Sequence, residues 1–226
     1  MTPENLSDSL NLNKLTLDEL EQKFEEVFDS YPDYSSIKDA YEFAREAHKN
    51  QSRKHDKAAP YIMHPLRIVI RMFTIYKIKD LVLLTSAMLH DTVEDTDVTG
   101  EQIKEKFGAK VAYYVNELTR ERPADEDEHP NQKYAAKMAK FKYYLASSFK
   151  VRQLKVMDII DNMTDWLEHS EQDVLKANFP RWLNEADNYY LPLSATIGPN
   201  FTKPVKYIIA EMHKLGFNAG SGNFKA

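Results

Sequence analysis

Cysteine is absent from the 226 residues, which excludes disulfides, thiolate zinc sites and a cysteine nucleophile. Any metal in this protein therefore has to be held by histidine and carboxylate side chains. No run of about 18 consecutive apolar residues occurs. The start, Met1 to Asn13, is polar and lacks a cationic stretch followed by an apolar one. A soluble, cytoplasmic protein without membrane association is the expectation. Surplus positive charge is also missing: 30 Lys and Arg stand against 35 Asp and Glu, a net charge of −5. No broad basic face offers itself to long nucleic acid, whereas a small basic pocket for one nucleotide stays compatible.

With 42% hydrophobic residues the chain can bury one substantial core, and two full domains would be cramped. Only 6 glycines and 10 prolines interrupt it, and the apolar residues recur mostly at three- and four-residue spacing, which predicts an all-α protein of about 8–10 helices. Thr16 and Glu19 form a capping-box pattern ahead of a helix over roughly 16–29, and Thr99 with Gln102 opens a short helix that Gly108 separates from the next. The polar stretch Asn50 to Ala59 reads as a loop. Glu121 to Pro130, with Asp125-Glu126-Asp127-Glu128, has nothing to bury and reads as a solvated loop, and Asn218 to Ala226 as a frayed tail. No internal repeat is visible.

The segment Leu89-His90-Asp91-Thr92-Val93-Glu94-Asp95-Thr96 carries the most chemistry, because an apolar helix abruptly presents a His-Asp pair and then a Glu-Asp pair. If the helix continues, His90 shares a face with Glu94, and Asp91 with Asp95. The alternative is a helix end dissolving into a charged turn. Imidazole nitrogen with carboxylate oxygen suits a divalent ion of the Mn, Fe or Zn group, but two residues cannot complete a coordination shell. His64, in Tyr61-Ile62-Met63-His64-Pro65, lies where a loop becomes a helix; Pro65 can take the first helical position and leave the histidine at the mouth of the bundle, or His64 is an ordinary capping or surface residue. Asp158 interrupts an apolar run, and a buried carboxylate costs several kcal/mol unless something compensates it, so Asp158 requires a partner. Asn162, one turn on, could hydrogen-bond a ligand, while Asp161 is expected to point elsewhere, towards solvent.

These segments together carry a family resemblance. Tyr41-Glu42-Phe43-Ala44, Gln51-Ser52-Arg53-Lys54, Pro60 to Pro65, Leu89 to Thr96, Phe107-Gly108-Ala109 and Lys155-Val156-Met157-Asp158 with Asn162 resemble the hydrolase domain of the RelA/SpoT alarmone enzymes in residues, order and spacing. Ala186, Tyr189 and Pro192-Leu193 look like that family's closing helix. The loop at Lys54 to Ala59 is more like the stand-alone small alarmone hydrolases. The resemblance implies an HD-type helical bundle over 36–198, with 1–35 as a helical extension and 199–226 as a helix and tail packed on the same domain. It implies one metal ion, Mn²⁺, on His64, His90, Asp91 and Asp158, with Glu94 and Asp95 preparing the attacking water. It also implies nucleotide contacts from Arg53 at the base, Lys54 near phosphate, and Asn162. Without the resemblance, Arg53 and Lys54 read equally as solvated loop charges.

The implied activity is hydrolysis of the 3′-pyrophosphate of ppGpp or pppGpp, giving GDP or GTP and pyrophosphate. Thr164 stands where the family often has an arginine, which leaves substrate choice open to an adenine alarmone or the ribose phosphate of NADPH. No segment of synthetase size follows residue 198, so alarmone synthesis is not expected. A non-catalytic nucleotide sensor is the contrasting expectation, disfavoured by the retained Glu94-Asp95 pair. The sequence leaves the oligomeric state open.

Overall fold

Side-chain caps decide where most of the early helices begin. In the computed structural model, Thr2 accepts from the Asn5 amide ahead of α1 (Pro3–Asn11), and the Thr16/Glu19 capping box opens α2 (Leu17–Phe28) where the sequence placed it. The structure describes residues 2–53, 56–120, 130–169 and 172–214. Lys54, the acidic segment at 121–129 and the tail from 215 lie outside the described residues. A single-turn 3₁₀ segment, Pro32–Tyr34, leads into α3 (Ser35–Ala47), and α4 (Met63–Thr74) follows the loop. Asp80 caps α5 (Leu81–Leu89), and α6 (Thr92–Asp95) is one turn long. The Thr99/Gln102 box opens α7 (Gly100–Phe107). Gly108, at φ +90°, joins it to α8 (Ala109–Leu118), a backbone conformation that L side chains rarely adopt. Then come α9 (Pro130–Ala146), α10 (Phe149–His169), α11 (Gln172–Glu185), a π-helical turn at Ala186–Tyr190, α12 (Leu191–Ala195) and α13 (Pro199–Lys214).

The all-α expectation is borne out. Among the described residues the only strand-like pairing is the isolated bridge between Ser52 and Pro60. None of the described helices is long and apolar enough to cross a membrane.

Helix α4 occupies the centre, with every residue from Met63 to Phe73 buried. It packs against α2, α5 and α10, while α5 also contacts α3 and α8, and α13 lies on α10 and α12. Its start differs from the sequence expectation in one detail. The helix begins at Met63, so Pro65 is its third residue; there too the amide would have no intrahelical acceptor, and proline costs no hydrogen bond.

Burying all sides of α4 also buries its polar residues, His64, Arg67 and Arg71. Their three- and four-residue spacing makes one stripe, and α10 presents the matching stripe Asp158, Asp161 and Asp165. The expectation that Asp161 faces solvent is therefore wrong: its relative exposure is 0%. A step of three residues turns a helix by 300°, which returns to within roughly 60° of the starting face. Asp161 is thus brought back beside Asp158 as surely as Asn162 is, on the other flank of the same face. Its carboxylate receives Arg67 Nε at 2.9 Å, Arg67 Nη2 at 2.8 Å and Arg71 Nη1 at 2.9 Å. Asp165 receives Arg67 Nη2 and Arg53 Nε, each at 2.8 Å. Such pairing is what lets these charges leave water, since a buried ion without partners costs several kcal/mol.

Candidate metal centre

Four of the residues singled out by the sequence converge where α4, α5 and α10 meet. His64 projects from the first turn of α4. His90 and Asp91 form the break between α5 and α6, so the helix that would have carried His90, Asp91, Glu94 and Asp95 on one continuous surface does not continue. The break turns Asp91 inward: its Oδ2 lies 3.0 Å from His90 Nε2 and 3.6 Å from His64 Nε2. Ligand atoms of His64, His90 and Asp91 all fall within 4.8 Å of one another. Asp158 joins them from α10, its Oδ1 3.2 Å from His64 Nε2 and 3.8 Å from His90 Nε2.

The hydrogen bonds on the far side of each ring define what the near side can do. His64 Nδ1 lies 2.7 Å from Asp161 Oδ2, and His90 Nδ1 lies 2.8 Å from the Ala87 carbonyl. Both contacts place the ring proton on Nδ1 and leave the Nε2 lone pair free to bind. Both Nε2 atoms are buried and have no hydrogen-bond partner. Two orphaned imidazole nitrogens opposite two carboxylates are a donor set that a divalent cation would satisfy.

The electrostatics agree. Burial alone would raise the Asp158 pKa, but the Lys155 ammonium, 2.6 Å away, and the two imidazoles outweigh it and hold the group well below the usual carboxylate range. Burial opposes charge on His90, yet Asp91 and Asp158 overcome it and push its pKa well up. The cluster favours positive charge at its centre. Lys155 on Asp158 Oδ2 and Asn162 Nδ2 on Asp158 Oδ1 are the partners that Asp158 required.

Glu94 and Asp95 flank this cluster on α6. Glu94 accepts from the Arg120 amide at 3.0 Å, and burial raises its carboxyl pKa, with Asp91 adding to the effect. Asp95 shares the Tyr61 hydroxyl with Asp91. On the other side the loop is pinned at its neck, where the Arg53 amide donates to the Ala59 carbonyl and the Tyr61 amide to the Gln51 carbonyl. The Arg53 guanidinium consequently lies buried, 5.5 Å from the Tyr61 ring centre, donating through Nη2 to Asn162 Oδ1 at 2.7 Å. Of the three residues expected to contact nucleotide, Arg53 and Asn162 adjoin the cluster, and Lys54 lies outside the described residues.

Comparison with known proteins gives this geometry its place. A model of the HD domain matches residues 40–193. The chain belongs to the HD domain family. This HD-domain chain is 33% identical over 189 residues to a guanosine-3′,5′-bis(diphosphate) 3′-pyrophosphohydrolase of Aquifex aeolicus, covering 83% of the chain but 25% of that protein. It is 32% identical over 147 residues to the human protein named guanosine-3′,5′-bis(diphosphate) 3′-pyrophosphohydrolase MESH1, covering 62% of the chain and 78% of that protein. A solved structure described as a metazoan ortholog of SpoT that hydrolyses ppGpp superposes with a TM-score of 0.65 at 22% identity, over 78% of the chain and 94% of its own. At that identity the superposition speaks for the fold.

Two residues of the HD-domain site were not singled out from the sequence. Asp161 orients His64, and its three-residue offset from Asp158 was the available signal. Tyr61 forms a wall: its ring stacks on His48 at 4.5 Å, and its hydroxyl reaches the two carboxylates. Its place in the polar loop entering α4 carries no capping or periodic signal that would distinguish it.

Proposed function

We propose that this protein hydrolyses the 3′-pyrophosphate of ppGpp and pppGpp with the help of one divalent ion, Mn²⁺, held by His64, His90, Asp91 and Asp158. The observation that carries the reading is the pair of buried, unpartnered Nε2 atoms facing two carboxylates. The activity for which the relatives from Aquifex aeolicus and human are named supplies the substrate class. Imidazole ligands favour Mn²⁺ over Mg²⁺, which prefers an all-oxygen shell. A divalent ion in such a site lowers the pKa of water and neutralises developing charge on phosphoryl oxygen.

The chain's own groups do the rest. Glu94, whose carboxyl pKa burial raises, takes a proton from the attacking water, and Asp95, fixed by Tyr61, orients that water. Attack occurs at the phosphorus bonded to the ribose 3′ oxygen. The bond between them breaks, pyrophosphate leaves, and the 3′ oxygen takes up a proton, so that ppGpp and water become GDP and pyrophosphate. Arg53 stacks on the base with its edges held by Asp165 and Asn162, Lys54 meets phosphate, and Asn162 positions the ribose.

Mn²⁺-loaded protein incubated separately with ppGpp, pppGpp, an adenine alarmone and NADPH, with products separated by chromatography, tests this. Pyrophosphate and GDP from ppGpp as the fastest reaction is the expected result. Faster release of orthophosphate from NADPH, or binding of ppGpp without turnover, would overturn it in favour of another substrate or of a sensor.

A further inference from the structure

The saturated network behind His64 is closed by side chains from a part of the chain that lies before the residues matched by the HD domain model, which begin at 40. Ser9, near the end of α1, accepts from Arg71 Nε through its hydroxyl at 2.9 Å and from Arg71 Nη2 through its carbonyl at 2.9 Å. Asn13, in the 3₁₀ turn Leu12–Lys14, accepts from Arg71 Nη2 through Oδ1 at 2.6 Å. Through Nδ2 it donates to Asp165 Oδ1 at 3.0 Å and to the Asp161 carbonyl at 3.3 Å. Both Ser9 and Asn13 are at 0% exposure.

A polar side chain is costly to bury without partners, and an apolar residue at position 13 would remove the acceptor that Asn13 Oδ1 offers the buried Arg71 guanidinium. Asn13 fits a role that needs both an acceptor and a donor, because it meets a guanidinium on one side and a carboxylate on the other. We propose that Asn13, assisted by Ser9, is a positioning residue for the metal centre. It fixes Arg71 and the α10 backbone at Asp161, so that the Asp161 carboxylate stays on His64 Nδ1 and the His64 Nε2 lone pair stays aimed at the metal. The N-terminal segment is then a working part of the site, and its detachment weakens metal binding. The inference rests on His64 being a metal ligand.

The test is calorimetric titration of Mn²⁺ into chelated, full-length protein, with melting followed in parallel. The variants are Asn13→Ala, Ser9→Ala combined with Asn13→Ala, and, as a packing control from the same extension, Leu20→Ala, which is buried on α2 and has no part in the network. Metal affinity is expected to fall about tenfold in Asn13→Ala, the lower end of what a residue supporting a ligand from outside the coordination shell contributes. A larger fall is expected in the double variant, while Leu20→Ala melts earlier with affinity intact. Asn13→Ala alone supplies the answer if the double variant does not fold. Unchanged affinity in Asn13→Ala, or an equal loss in Leu20→Ala, would overturn the proposal and leave Asn13 a structural residue. Failure of the wild-type protein to bind Mn²⁺ would overturn the metal reading itself, and this inference with it.

Discussion

The two sides of the His64 ring face opposite regimes. On its Nε2 side the carboxylates of Asp91 and Asp158 and the His90 imidazole surround buried nitrogens that have no partner. On its Nδ1 side Asp161, Asp165, Arg67, Arg71, Arg53, Asn13 and Ser9 form a network whose buried side-chain atoms are all paired. Both regions are buried and charged, so burial and charge do not separate function from structure here. Satisfaction does. A network that uses up its own donors and acceptors is rigid and takes no ligand, whereas one that leaves lone pairs pointing at each other is stable only with something between them.

The largest expected effect lies wholly on the unsatisfied side. Glu94→Gln combined with Asp95→Asn should lower kcat by about 10²–10⁴-fold, the usual value of general acid–base assistance. KM and bound Mn²⁺ should change little, since an amide keeps volume and hydrogen bonding but accepts no proton from water. Steady-state kinetics with metal analysis checks it, and near-normal kcat would remove both residues from the mechanism.

Breaking the satisfied side should register as stability instead. Arg67→Met removes the guanidinium that Asp161 and Asp165 share, leaving Asp161 to Arg71 and Asp165 to Arg53, and should cost about 3–5 kcal/mol, as removal of one partner from a buried ion pair does. Urea unfolding of the chelated protein measures this, and a loss below about 1 kcal/mol would mean that water or a shifted pKa compensates. A smaller effect should cross between the regions. Asp161→Asn leaves His64 without its charged acceptor and should weaken Mn²⁺ binding by about 10–100-fold, which titration calorimetry reads; unchanged affinity would separate the two sides completely.

The smallest effect within the ordinary working range concerns pH. Burial would raise the carboxyls of Asp161 and Asp165, but the guanidiniums outweigh it, Arg67 foremost, and both are held below the usual carboxylate value. A depressed folded pKa contributes stability that is present above the unfolded value, about 3.9, and is lost as pH falls through it towards the folded one. The urea midpoint of the chelated protein should therefore be insensitive to these groups from about pH 7 to 5 and should drop below about pH 4. A steep loss already near pH 6 would show that these carboxylates are not what holds the network.

Much of the candidate site was legible in the sequence because its residues interrupt patterns. His90 and Asp91 end an apolar helix, Asp158 sits inside an apolar run, and His64 follows a loop, so each stands out against neighbours of the opposite character. Arg67, Arg71, Asp161 and Asp165 do not. They recur at helical spacing among apolar residues, and the same pattern describes a charged stripe facing water. Helix termini were legible for a local reason as well, since the Thr16/Glu19 and Thr99/Gln102 boxes are completed within four residues.

The sequence by itself determined the helical class, the absence of any thiolate ligand, and the residue types that could hold a metal, because periodicity, inventory and capping are local properties. Only the tertiary structure decided which face of α10 is buried, that Asp161 rather than water receives His64 Nδ1, and that α1 and the turn after it close the network around Arg71. Those outcomes depend on residues up to 152 positions apart meeting in a volume that excludes water. There, pairing between distant partners, not the character of either one, determines whether a charge is affordable.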